Sequence, residues 1–62
     1  MDNILPSDPY MLLSVVNMKL RDEFDSLQEL CASMDTDITR LSDSLKAIGY
    51  EYDSATNQFK AS

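Results

Sequence analysis

The sequence predicts a mainly α domain, a three-helix bundle closed by a C-terminal two-stranded β-hairpin. Three observations carry this. Apolar residues recur at spacings of three and four in three successive stretches, as helices that bury one face require. Residues able to cap a helix stand at the head of each stretch. After the chain's single Gly, the pattern changes to alternation around a polar turn.

The elements follow in order. Residues 1–7 are expected to be an extended lead-in, because Pro6 disfavours helical angles at Leu5. Asp8-Pro9 reads as a helix start, with a capping carboxylate and a proline suited to the first helical position. The first helix is expected over residues 8–24. Ser26-Leu27-Gln28-Glu29 has the form of a capping box and opens a short second helix over 26–34. Asp35, Thr36 and Asp37 form a turn, and any of the three can cap the third helix, placed at 37–48. Gly49 falls where a helix needs a left-handed end. Tyr50 and Tyr52 share one face of a strand, residues 53–57 are turn chemistry with Asn57 able to take positive φ, and Phe59 lies on the return strand, giving a hairpin over 50–60.

The helical faces carry most of the information. The second helix has one apolar stripe, Leu27, Leu30, Cys31 and Met34, and the third has Ile38, Leu41, Leu45 and Ile48. The first helix has two. Leu13, Val16, Leu20 and Phe24 make one, with Leu12 at its edge; Met11, Val15 and Met18 make the other, roughly opposite. A helix apolar on two sides is central or touches a partner. The second stripe is covered by the hairpin or by Ile4-Leu5, by a second copy of the chain, or by another protein. Met11, Val15 and Met18 are therefore the candidate partner surface.

Composition narrows the function classes. The chain has 62 residues, 5 Lys and Arg against 11 Asp and Glu, a net charge of -6, one Cys and no His. Without His, neither a Ser-His-Asp nor a Cys-His catalytic group can form, and no His or Cys cluster exists to hold zinc. Asp35-x-Asp37 fails as a calcium loop, since Arg40 and Lys46 stand where Gly and Glu are required. A chain this short has little room for a pocket of several hundred Å³. No enzyme activity, cofactor, metal or small-molecule substrate is expected. Cys31, on an apolar stripe and without a basic neighbour, reads as an inert core thiol. A lone Cys suits a reducing compartment, and neither a secretory leader nor a membrane span is visible, so a cytoplasmic protein is expected. Asp22, Glu23 and Asp25 form an acidic cluster at the end of the first helix, read as a solvated face with Arg21 nearby or, functionally, as a contact for a basic partner.

A short helix, a tight turn, a second helix and a hairpin over residues 26–60 resemble the second half of a winged helix-turn-helix domain. On that reading Thr39, Arg40, Ser42 and Lys46 would form a nucleic-acid face. Asp37 and Asp43 cancel the two bases, however, and a DNA reader needs a basic footprint. The favoured function is thus a protein-interaction module, a homodimer through the first helix being one form of it. The alternative is a small DNA-binding regulator.

Three stretches carry a further resemblance. Leu5-Pro6-Ser7-Asp8-Pro9, residues 11–22 (MLLSVVNMKLRD) and Ile48-Gly49-Tyr50-Glu51-Tyr52-Asp53 with Asn57-Gln58-Phe59 together resemble a small bacterial family, the domain of unknown function DUF4250. The resemblance spans nearly the whole chain and implies a separate bacterial cytoplasmic protein. It assigns no catalytic or binding residue. It draws attention to Asn17, at the edge of the first apolar stripe, which is expected to hydrogen-bond the lead-in or the hairpin.

Overall fold

A computed structural model describes residues 5–62. Three helices, α1 (Pro9–Asp22), α2 (Leu27–Ser33) and α3 (Ile38–Lys46), precede two antiparallel strands, β1 (Tyr50–Asp53) and β2 (Gln58–Ala61). The described part of the lead-in, residues 5–7, is non-helical; Leu5 packs against the core. The expectation for residues 1–4, including Ile4 as a cover, lies outside the described residues.

Each helix begins at a side-chain cap. The Asp8 carboxylate accepts from the Tyr10 N–H at 2.9 Å, with Pro9 directly following. Ser26 Oγ accepts from the Glu29 N–H at 3.1 Å. Glu29 reaches back to the Asp25 N–H at 3.4 Å instead of to Ser26, so the box closes one residue early. Among the three turn residues it is Asp37 that caps α3, accepting from the Thr39 N–H at 2.8 Å and the Arg40 N–H at 3.4 Å.

The helix ends fall short of the sequence boundaries for identifiable reasons. α1 stops at Asp22, because the Glu23 and Phe24 N–H groups converge on the same Lys19 carbonyl at 2.7 and 3.0 Å. Phe24 meets the core from this turn and not from a helical stripe. α3 stops at Lys46, where bonds from Ile48 N–H to Leu45 O and from Gly49 N–H to Lys46 O tighten the last turn. Gly49 has φ 87, the left-handed end the sequence called for. Asp35, at φ 54, plays the same part after α2, and there the Thr36 N–H reaches back to Cys31 O at 2.9 Å.

The hairpin pairs Tyr50 with Ala61, Glu51 with Lys60, Tyr52 with Phe59 and Asp53 with Gln58, one residue longer than expected. Its turn uses Asp53, which accepts from the Ala55 N–H at 2.9 Å, and Asn57 at φ 55. The Tyr52 and Phe59 rings meet across the strands, 5.5 Å apart and tilted by 55°.

The core is built from Leu12, Val16 and Leu20 of α1, Leu27, Leu30, Cys31 and Met34 on or beside α2, Leu41 and Leu45 of α3, and Phe59. Two stripe assignments change. Leu12 is central and Leu13 only partly buried, while Val16 and Leu20 stay in the core, so the contact line turns by about half of one residue's 100°. Ile38, expected inside, is 36% exposed. It occupies the first turn of α3, where the chain is still arriving from the α2–α3 connection.

Candidate interaction surface

The face of α1 opposite the core is open. Tyr10 is 65% exposed, Met11 58% and Met18 47%, with Val15 partly buried between them. The hairpin does not cover this stripe. It docks on the flank of α1 instead, and the reason is a set of amide side chains that sequence periodicity does not reveal.

Asn17 Nδ2 donates to the Phe59 carbonyl at 3.1 Å, and the Phe59 N–H donates to Asn17 Oδ1 at 2.7 Å. One side-chain amide thus pairs with both backbone groups of a β2 residue, as a neighbouring strand would. The hydrogen bond expected of Asn17 exists, and its partner is the hairpin. Gln58 Nε2 donates to the Asn17 carbonyl at 3.0 Å. Asn57 Nδ2 donates to the Leu20 and Phe24 carbonyls, each at 2.9 Å, satisfying acceptors at the end of α1. Asn57 Oδ1 accepts from the Tyr52 hydroxyl at 2.6 Å, and that hydroxyl accepts from the Leu27 N–H at 3.4 Å. The hairpin is held by directional bonds at fixed points along α1, which leaves the outer face free.

Between α1 and the hairpin runs an open groove of about 550 Å³. Tyr10, Ser14, Met18 and Arg21 form its α1 rim, Leu13 and Asn17 also line it, and Tyr50 and Gln58 form the far side. The short chain left little room for an enclosed pocket of this volume, and the space is open. The space is a furrow between two elements and takes nothing from the core. Tyr10, Arg21, Tyr50 and Gln58 were not among the sequence candidates. The recurrence of polar-tipped side chains at 10, 14, 17 and 21 was the available signal, masked by the stronger apolar stripes.

Arg21 closes one end of the groove. Its guanidinium bonds Asp22 at 3.1 and 3.3 Å. That hydrogen bond raises the Arg21 pKa, and from the other side lowers that of Asp22. Both groups are exposed, so the pair adds little to stability. The other ion pairs among the described residues are Lys19–Glu23 at 3.6 Å and Lys60–Asp53 at 3.7 Å.

The α3 candidates share one helix, with Arg40 turned about 100° or more from the other three. Thr39, Arg40 and Lys46 are exposed and Ser42 partly so. Neither Arg40 nor Lys46 is within 4.0 Å of a carboxylate among the described residues. Asp37 caps this helix and Asp43 lies on it, both exposed, so its surface carries both signs.

Cys31 is buried, and desolvation, then the charge of Asp37, pushes its thiol pKa up. A smaller hollow of about 300 Å³ lies beside it, with Asp35 and Ile38 at its margin. Among the described residues no group of three or more His, Cys, Asp or Glu is placed to hold a metal ion. Among the described residues no helix is long and apolar enough to cross a membrane.

No curated protein and no solved structure matches the chain. The family described as Domain of unknown function (DUF4250) matches residues 6–59, which include all three helices, the Asn17–hairpin latch and both strands except its last two residues. The chain, with its three helices and hairpin, belongs to that family.

Proposed function

We propose that this protein is a non-enzymatic interaction module that binds another protein chain through the outer face of α1. The observation that carries the reading is the exposure of Tyr10, Met11 and Met18 along one helix whose opposite side already fills the core. Three large apolar side chains stand exposed on one helix of a 62-residue chain, and exposed apolar surface that clusters marks contact sites. Methionine suits such a surface because its unbranched side chain adapts to a partner's shape. A buried, high-pKa Cys31 is compatible with work in the reducing cytoplasm.

The test is site-specific photo-crosslinking in cells of the native organism. A photoreactive residue at Met18 should give discrete adducts identifiable by mass spectrometry, and one at Glu51, on the hairpin, should not. Equal or absent labelling at both positions would remove the reading.

A second reading, a small DNA-binding regulator using α3 and the hairpin, is favoured by one observation: Arg40 and Lys46 are exposed and outside any ion pair among the described residues. Amide-resolved NMR titration with mixed-sequence duplex at low salt tests it. Shifts confined to residues 37–46 and the hairpin, weakening steeply with salt, would support it. Unmoved spectra would end it.

A further inference from the structure

We draw no further inference here: the strongest candidate, the open groove between α1 and the hairpin, carries nothing because Arg21, the charged side chain that lines it, is already paired with Asp22 and nothing in the structure shows what occupies it.

Discussion

Replacing Asn17 with Ala should cost this domain a large part of its stability. The side chain makes two bonds, at 2.7 and 3.1 Å, to the N–H and carbonyl of Phe59, a residue whose own side chain is in the core. Each such bond contributes about 1 kcal/mol net, and leaving the backbone pair incompletely satisfied adds to that. The groups are only partly buried, so water recovers some of the loss. The expected cost is about 2–3 kcal/mol, against about 3–9 kcal/mol of total stability for a domain of this length. In a chain of this size that lowers Tm by about 10–20 °C. Urea melts followed by circular dichroism measure it, and hydrogen exchange at the Phe59 amide locates it. A loss under about 0.5 kcal/mol, with Phe59 protection unchanged, would refute the claim that Asn17 stands in for a strand. Asn17→Asp sharpens the test. Its carboxylate would set a second oxygen against the Phe59 carbonyl, raising the folded-state pKa above the unfolded one. The acid form's contribution is then present below the unfolded pKa and lost as pH rises through the folded pKa. Relative to wild type, Asn17→Asp should be weaker at neutral pH than near pH 4.

Three further outcomes follow from the same structure. Asn57→Gly keeps the positive φ but loses the bonds to Leu20, Phe24 and Tyr52, and should cost about 2–4 kcal/mol in chemical denaturation; Asn57→Ala should cost more, by the strain of φ 55. Gly49→Ala should cost about 1–2 kcal/mol from backbone strain alone, since a Cβ there meets nothing within 4 Å; a D-alanine at that position in the synthetic chain should cost nothing. Burial raises the Cys31 pKa, so the thiol binds its proton more tightly folded than unfolded. That contribution is complete below the unfolded pKa and lost as pH rises through the folded pKa, so stability should fall above about pH 8.5 more steeply for wild type than for Cys31→Ala.

The local elements were legible because their causes are local. Asp8, Ser26 and Asp37 cap from within three residues of the groups they satisfy, Gly49 and Asn57 take the positive φ their chemistry permits, and the stripe Leu27, Leu30, Cys31, Met34 is a property of helical spacing. The α1 boundary at Asp22 and the exposure of Ile38 were not legible, since both depend on how the chain turns into the next element.

What the residue order determined by itself was the number, order and kind of elements, and that α1 carries apolar side chains on two opposite faces. Which face is buried, and what stands beside the other, was decided by tertiary structure. Asn17, Asn57 and Gln58 lie 37 to 42 residues from some of the groups they bind. Hydrogen bonds at that separation leave no periodic trace, yet being directional they anchor the hairpin to the flank of α1. That anchoring opens the groove, completes the core with Phe59 and keeps Met11 and Met18 at the surface.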